Sequence, residues 1–471
     1  MNTLNSVTVN SPESQVMNFK KAVPVILLLF LFSLVVDNSF KIVSADMATA
    51  LGLSPSTVSW QVTLSALVIG IGAVVYATLS DSISVRNLLS IGILLICAGS
   101  LMGYLCRESF FLIVIARVIQ SAGLAATETL YVISVTKYMP KNEQKKFFGF
   151  GTSCFAVAQI IGTLVGGYVS TYVDWTVLFL VPLLSLIILP FILKFLPKEQ
   201  RKKGNIDIIG LFLLATITAS LILYMSDFNW LYLIMFAIVT VLFLLFISKS
   251  PKAFIEISFF KNKKFLSVLA IVFLLYSLQM AYIFMFPFLI ESIYGFKLDT
   301  ISLLFLPAYA LSAIVGAMSG KTAKVLGSKQ CIFIAISSIV ASLLLGGFMV
   351  ETSVWVFVFS MMMFSGAYGL IYAPLMETYL STLSGDKAGT AIGFYNLCIN
   401  ISSSIGVAYV AALMESRSLQ LHILSYIDST NASQYSNVFF VLAVIGSIGL
   451  LLYKVLVANQ KKQDKLAIEN K

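Results

Sequence analysis

Residues 22–45, AVPVILLLFLFSLVVDNSFKIVSA, form an apolar run in which Asp37 and Lys41 are the only charged side chains. A helix needs roughly 20 apolar residues to cross a bilayer. The residues before the run are polar, and the run is too long for the short apolar core of a cleaved signal peptide. It therefore predicts a membrane span that the protein keeps.

The rest of the chain continues this composition. Of its 471 residues, 59% are hydrophobic and 11% are charged, against roughly 45–50% and 25% in a soluble domain. The net charge of +10 comes from Lys and Arg that lie mostly between apolar runs, which indicates membrane orientation and not nucleic acid binding. The five cysteines lack paired spacing, so neither a disulfide framework nor a zinc site is expected. The sequence predicts an all-α polytopic membrane protein.

Hydropathy divides the chain into fourteen predicted spans. They lie near 22–45, 58–79, 87–105, 109–135, 147–170, 175–194, 206–225, 230–248, 265–290, 301–319, 330–350, 353–373, 388–413 and 437–457. An even number puts both termini on one side. Of the 31 Lys and Arg, 26 fall on that side and only Arg107, Lys297 and Arg417 on the other. By the positive-inside rule, both termini are predicted to be cytoplasmic, in a cell membrane.

A faint internal repeat suggests two related halves. Gly149, Phe150, Cys154, Ile161 and Gly162 recur 244 positions later as Gly393, Phe394, Cys398, Ile405 and Gly406. Paired halves are common in transporters, and here the repeat predicts a 6+2+6 arrangement. The expected divisions are a cytoplasmic tail at 1–21, a six-helix bundle at 22–194, a linker with two extra spans at 195–250, a second six-helix bundle at 251–457 and a cytoplasmic tail at 458–471.

Four charged residues fall well inside the predicted spans: Asp37, Lys41, Arg117 and Glu128. A charge at the centre of a membrane helix costs about 2.5–3.5 kcal/mol on insertion scales. Such residues usually face a bundle interior or an aqueous cavity and mark ion or substrate pathways. All four are therefore candidates for proton coupling.

Depth relates these charges to each other. Asp37 and Arg117 both lie eight residues from the outer ends of their predicted spans, roughly 12 Å below the surface at 1.5 Å per residue. They can pair if spans 1 and 4 are neighbours. Lys41 follows Asp37 at i+4, in the favourable order for an ion pair, so Asp37 has two candidate cations. The alternative is a purely structural Asp37–Lys41 pair.

Glu128 lies three turns after Arg117 and on the same helix face, near Gln120, which predicts a wet face. The alternative is that Glu128 is close enough to the cytoplasm to be solvated there. In span 5, Ala158, Gly162 and Gly166 repeat every four residues, which allows another helix to approach closely. Close packing alone also explains this stripe.

Five stretches of the sequence are distinctive: VVDNSFK at 35–41, VSWQ at 58–61, GIGAVVYA at 70–77, AGLAATETLYV at 122–132 and DFNWLY at 227–232. With them the chain resembles, over nearly its whole length, the fourteen-span drug and proton antiporters of the major facilitator superfamily. The resemblance is greatest to the tetracycline efflux proteins of Gram-positive bacteria, of the staphylococcal type.

The resemblance implies roles for particular residues. Asp37 matches the acidic motif of the first span, although Lys41 replaces a usually apolar residue. Arg117 matches the arginine of the fourth-span motif, which is thought to take part in proton coupling. The loop with Asp81 and Arg86 resembles the gating loop, and Gly162, Gly166 and Gly167 resemble the antiporter motif of span 5.

Together these features predict a proton-coupled exporter with a central cavity between two six-helix bundles, exchanging external protons for a cytoplasmic drug. Tetracycline is the expected substrate. No cofactor is expected beyond the proton gradient, and any divalent metal arrives bound to the drug. The expected partners are the drug, protons and lipid, with no nucleic acid, and the expected state is a monomer. The candidate cavity residues are Asn38, Gln120, Gln159, Tyr276, Gln279, Tyr372, Tyr395, Asn396 and Asn400.

Three alternatives remain open at this point. A multidrug or lipophilic-cation exporter would need an unpaired acid in the cavity, and Lys41 beside Asp37 argues against it. A membrane enzyme would need a general base at membrane depth, whereas the single histidine, His422, lies in the predicted loop 414–436. A membrane scaffold would transport nothing in purified form.

Overall fold

The computed structural model describes residues 12–196, 207–250, 261–382 and 388–469, apart from several residues between 421 and 428. The fourteen predicted spans are all confirmed as helices. Spans 1 to 7 are Pro12–Ile42, Pro55–Leu79, Val85–Leu105, Phe110–Tyr138, Lys141–Tyr172, Trp175–Phe195 and Ile208–Asp227. Spans 8 to 14 are Trp230–Lys249, Lys263–Tyr294, Leu298–Leu326, Ser328–Phe348, Val354–Leu380, Ala388–Glu415 and Thr430–Glu469. A short helix, Ser44–Leu51, follows span 1.

Span 6 is less regular than its apolar composition suggests. It begins with two 3-10 segments, Trp175–Phe179 and Val181–Ile187, and only Leu189–Phe195 is α-helical. Pro182 and Pro190 each stand near the start of one of these segments. Because proline has no backbone N–H to donate, a single continuous α-helix is disfavoured here.

The ends of several spans follow from local capping. Span 2 begins after Ser54, whose side chain accepts a hydrogen bond from the backbone N–H of Thr57, with Pro55 at the first helical position. Asn262 caps span 9 in the same way. Gly295 ends span 9 at a φ of 66°, a left-handed conformation that glycine adopts without steric cost. Short polar caps therefore separate the long apolar helices.

The spans pack as two groups of six. In the first group, span 1 packs on spans 4 and 5, and span 4 on spans 2 and 3. In the second group, span 9 packs on spans 13 and 14, and span 12 on spans 10 and 11. The two groups, called here the first and second halves, meet where span 2 packs on span 13 and span 5 on span 10. Spans 7 and 8 pair with each other, and span 7 lies against spans 2 and 13. The 6+2+6 fold is thus confirmed.

Two glycines of the sequence repeat occupy equivalent places in the halves. A Cβ on Gly162 of span 5 would stand 2.6 Å from the carbonyl oxygen of Val35 in span 1. A Cβ on Gly406 of span 13 would stand 2.0 Å from the carbonyl oxygen of Ser277 in span 9. Since both distances are far below van der Waals contact, each half uses glycine to bring its fifth helix against its first.

We call the side of the membrane where span 1 begins and span 14 ends the terminal face, and the other side the opposite face. Hydrogen bonds join the halves near the opposite face. Tyr172 Oη donates to Asp299 Oδ2 at 2.8 Å, and the backbone N–H of Asp299 donates to Thr171 Oγ1 at 3.0 Å. Deeper in the membrane, Ser404 Oγ donates to the carbonyl of Thr63 at 2.7 Å. The opposite face is therefore closed in this structure.

Candidate functional site

Asp37 lies between two cations in the first half. Its Oδ2 is 2.6 Å from Lys41 Nζ, and its Oδ1 is 3.3 Å from Arg117 Nη2. Arg117 is fully buried and Asp37 is only 7% exposed. Spans 1 and 4 are neighbours, so equal depth in the sequence does correspond to an ion pair. Both candidate cations reach the same carboxylate.

Neutral groups complete the surroundings of Arg117. Its Nε donates to Gln61 Oε1 at 3.3 Å, its Nη2 donates to Ser65 Oγ at 3.1 Å, and its Nη1 donates to Gln120 Oε1. The ring of Phe40 lies 4.2 Å from the guanidinium carbon, a favourable cation–π distance. A buried charge is costly unless it is paired and hydrogen-bonded, and Arg117 meets both conditions.

Gln61 and Ser65 are the site residues that the sequence analysis did not single out. They lie one helical turn apart in span 2, and both are fully or almost fully buried. Gln61 Nε2 donates to the carbonyl of Phe40 at 3.1 Å, so it holds span 2 to span 1 while its oxygen binds Arg117. The available signal was a pair of polar residues at i and i+4 inside an apolar run.

Gln120 is placed differently from its prediction as a cavity residue. Its side chain is fully buried, and its Nε2 donates to Ser100 Oγ of span 3 at 2.8 Å while its oxygen accepts from Arg117. Positions 117 and 120 are only 60° apart around the helix, so Gln120 can accept from Arg117 while its amide nitrogen reaches span 3. Gln120 therefore supports Arg117 and does not line the cavity in this structure.

Glu128 stands apart from the Asp37 cluster. It is half-buried, and it forms neither an ion pair nor a hydrogen bond with the described part of the chain. It follows Arg117 on the same helix face by eleven residues, roughly 16 Å along the helix. Ten residues, roughly 15 Å of helix, separate it from the end of span 4 at Tyr138. Glu128 is thus a lone carboxylate at membrane depth.

The glycines of span 5 hold span 1 and reach the second half. Gly162 and Gly166 face the backbone of span 1, and the Oγ of Ser39 donates to the carbonyl of Gly162 at 2.8 Å. A Cβ on Gly167 would instead stand 1.7 Å from Ser302 Oγ in span 10. Close packing accounts for the first two glycines, and the third permits contact between the halves.

A small cavity of about 10 Å³, roughly the space of one water molecule, lies between the halves beside the Asp37 cluster. Its lining comes from spans 1, 5, 9 and 10, and consists of Asn38, Lys41, Ile42, Gln159, Thr163, Met280, Ile283, Phe305 and Tyr309. Two predicted cavity residues, Asn38 and Gln159, are among them. Lys41 both lines the cavity and pairs with Asp37. A change in the charge of Asp37 therefore directly affects a residue of the cavity lining.

The remaining predicted cavity residues belong to spans 9, 12 and 13. Tyr276 contacts Tyr395 with ring centroids 6.4 Å apart, and Tyr372 is 41% exposed. Asn400 lies where span 13 meets span 2, because a Cβ on Gly70 would stand 2.8 Å from the Cβ of Asn400. The other two, Gln279 and Asn396, are half-buried.

The loop after span 2 is tied to span 4. Asp81 Oδ1 is 2.6 Å from Lys137 Nζ, and both side chains are well exposed. Arg86, its predicted companion, is half-buried and does not pair with Asp81. The sequence identified the acid but not its partner, because Lys137 comes 56 positions later in the chain.

At the opposite face, Asp46 in the helix Ser44–Leu51 faces the second half. Burial raises the pKa of Asp46, a hydrogen bond from Ser170 lowers it, and the nearby carboxylate of Asp299 raises it. Asp46 belongs to the first half and Asp299 to the second. Closure of this face therefore brings two like charges together.

Two six-span groups around a cavity, with a buried charge cluster beside it, define a polytopic membrane transporter. Residues 25–407 match the profile of the Major Facilitator Superfamily, and the chain belongs to that family. Its relatives are transporters, and the protein is accordingly a transporter and not an enzyme.

The similar proteins differ in what their names say they carry. The chain is 24% identical over 453 residues to the riboflavin transporter RibZ of Clostridioides difficile (strain 630), covering 93% of this chain and 97% of that protein. It is 25% identical over 403 residues to the quinolone resistance protein NorB of Staphylococcus aureus (strain MRSA252), covering 82% and 85%. The crystal structure of the nucleoside transporter NupG superposes with a TM-score of 0.68 at 14% identity, covering 93% and 99%, which shows the shared fold.

Proposed function

We propose that this protein is a proton-coupled drug exporter of the cell membrane, with both termini cytoplasmic, and that tetracycline is its substrate. In this mechanism the protein works as a monomer, and its two halves, residues 22–194 and 251–457, rock against each other. In this proposal the closed opposite face is the external one, and the drug enters the cavity from the cytoplasm. External protons enter as the drug leaves.

The observation that supports this proposal is the position of Asp37 between Lys41 and Arg117 at the edge of the inter-half cavity. A buried carboxylate is balanced between desolvation, which favours its neutral form, and nearby cations, which favour its charged form. Protonation of Asp37 releases both cations. Lys41 then lines the cavity without its ion pair, which changes the relative free energies of the states open to the two sides of the membrane.

The glycines of span 5 supply the mechanical connection. Gly162 holds the segment of span 1 that carries Asp37, and Gly167 touches span 10 in the second half. Span 5 is therefore in direct contact with both the charge cluster and the closing surface. A shift of span 1 on protonation is transmitted to the interface by rigid packing, because packed helices are not continuously deformable.

A multidrug exporter is the second candidate, and the similarity to NorB, a quinolone resistance protein, favours it. Lipophilic cations are the less suitable cargo, because Lys41 lines the cavity and would repel them. Tetracyclines and quinolones carry acidic groups that can lie near this ammonium group.

Two measurements test the proposal. Minimum inhibitory concentrations for tetracyclines, quinolones and quaternary ammonium compounds are compared with and without expression of the gene. Purified protein in liposomes is then given a pH gradient, and drug movement and proton release are followed together. We expect tetracycline to move against its gradient at the expense of protons. Drug transport that does not depend on the pH gradient, or no transport of any of these drugs, would refute the proposal.

A further inference from the structure

Two glutamines accept hydrogen bonds from Arg117 and lead to different parts of the first half. Gln120 donates from its amide nitrogen to Ser100 Oγ of span 3 at 2.8 Å. Gln61 donates from its amide nitrogen to Ser44 Oγ at 2.9 Å, and Ser44 begins the short helix that follows span 1. Both glutamines and both serines are fully or almost fully buried. Gln61 therefore joins the Asp37 cluster to the short helix at the opposite face.

The short helix is bonded in turn to the last turn of span 5. Asp46, in its first turn, accepts a hydrogen bond from Ser170 Oγ. The next two residues of span 5, Thr171 and Tyr172, bind Asp299 of the second half at 3.0 Å and 2.8 Å. The short helix and the contact that closes the opposite face thus use three consecutive residues of span 5.

A neutral Asp37 would change what holds the Arg117 guanidinium. Arg117 binds Asp37 through Nη2 and Gln61 through Nε, each at 3.3 Å. Lys41, the other cation at Asp37, has a side chain that is 20% exposed and can be hydrated, whereas the buried Arg117 must rely on its neutral acceptors. Hydrogen bonds from a charged donor are strong, and they polarise the next bond in a chain. The bond from Gln61 to Ser44 is therefore strengthened when Asp37 loses its charge.

We propose that Gln61 is a positioning residue through which the charge of Asp37 controls closure of the opposite face, an inference that rests on the proposed proton coupling at Asp37. When Asp37 is neutral, Arg117 and Gln61 hold Ser44 and the short helix in the position that the closed face requires. In the proposed orientation this face is the external one. An external proton that reaches Asp37 therefore favours closure of the face through which it entered.

Labelling of a single buried cysteine measures how often this face opens. In a background without the native cysteines, Ser302→Cys places a thiol where span 10 meets Gly167 of span 5, at a fully buried position. A maleimide reaches the thiol only when the halves separate, so its reaction rate follows the open population if opening and closing are fast. The assay uses purified full-length protein in nanodiscs, without drug. Asp37→Asn, which imitates the neutral acid, should lower the rate about tenfold.

Double variants then assign this effect to Gln61. In Gln61→Leu, and in Ser44→Ala, adding Asp37→Asn should change the labelling rate by less than about twofold, because the connection to the short helix is broken. Ser100→Ala is the matched control, since Ser100 also accepts a hydrogen bond from a glutamine that binds Arg117 but lies in span 3. There the effect of Asp37→Asn should stay about tenfold. A merely structural Gln61 would lower the melting temperature and leave the effect of Asp37→Asn unchanged.

Three results would overturn the inference. These are an unchanged labelling rate in Asp37→Asn, an effect of Asp37→Asn that survives in both Gln61→Leu and Ser44→Ala, and an equal loss of that effect in Ser100→Ala. If Gln61→Leu does not fold, the comparison of Ser44→Ala with Ser100→Ala decides.

The proposed export is judged separately, from drug and proton movement in liposomes. A labelling effect that needs Gln61, in a protein that does not exchange protons for drug, would keep the role of Gln61 and refute the export. Proton-coupled export with a labelling effect that does not need Gln61 would refute only the role of Gln61.

Discussion

Neutralising Asp37 should separate transport from its driving force. In Asp37→Asn the side chain cannot take up and release a proton near neutral pH, so we expect proton-driven export to be lost. Exchange of drug down its own gradient should survive, because the cavity lining is otherwise unchanged. The same substitution also removes the negative charge that both Lys41 and Arg117 bind.

The contacts of Asp37 determine how much stability Asp37→Asn should lose. Removing one partner of a buried pair costs roughly 3–5 kcal/mol, because it leaves an uncompensated charge. Arg117 keeps its bonds to Gln61 and Ser65, and the new amide oxygen can still accept one, so the loss should be near the lower bound, about 3 kcal/mol. Removing Lys41 should cost less than this, because Asp37 keeps Arg117 as a partner.

A double variant distinguishes stability from coupling. Asp37→Asn combined with Arg117→Gln should be more stable than Asp37→Asn alone, since the fully buried Arg117 is no longer left without its carboxylate. It should not recover proton-driven export. The assays are thermal unfolding of the purified variants, uphill drug export in liposomes under a pH gradient, and counterflow without one. If Asp37→Asn still exports drug uphill with protons, Asp37 is a structural residue, and Glu128 becomes the leading candidate for the coupling acid.

Three further outcomes are expected. In a cysteine-free background, a cysteine at the exposed position Ser418 should react with an impermeant maleimide in intact cells, and one at Asn87 only after permeabilisation; the reverse pattern would invert the proposed orientation. Asp81→Asn should slow the exchange between the two states of the transporter, measured by single-molecule fluorescence, without changing the affinity for the drug. Because the bond between Asp81 and Lys137 is exposed, the substitution should cost no more than about 1 kcal/mol of stability. Weaker binding with normal turnover would contradict a gating role. The pKa of Asp46 is raised in the closed form. Lowering the pH from above that pKa toward the usual value of 3.8 should therefore favour closure of the opposite face. Distances between spin labels on spans 5 and 10 measure this closure, and Asp46→Asn should remove its dependence on pH.

Much of the fold could be predicted because the bilayer imposes simple rules on sequence. A spanning segment must satisfy its own backbone hydrogen bonds, so it must be a helix of sufficient apolar length. That rule predicts all fourteen spans. It does not predict the 3-10 segments of span 6, which depend on where Pro182 and Pro190 fall relative to the packing of neighbouring helices.

The site was only partly accessible from the sequence. The cost of a buried charge identifies Asp37, Lys41, Arg117 and Glu128 without a structure, since uncharged alternatives are cheaper at those depths. Neutral polar residues carry no such signal. Glutamine is common in helices, so only the contact of Gln61 with Arg117 shows that Gln61 belongs to the site.

By itself, the sequence determined the number of spans, the depth of each charged residue and the concentration of Lys and Arg on one side of the spans, because hydropathy and charge act along a single axis through the membrane. The tertiary structure decided which helices are neighbours and which way each side chain points around its helix. Span 4 shows the difference: Arg117 reaches Asp37, Gln120 turns to span 3, and Glu128 is left without an ion pair or hydrogen bond among the described residues. Rotation about a helix axis and lateral position are set by contacts between residues far apart in the chain, and these contacts exist only once the bundle has packed.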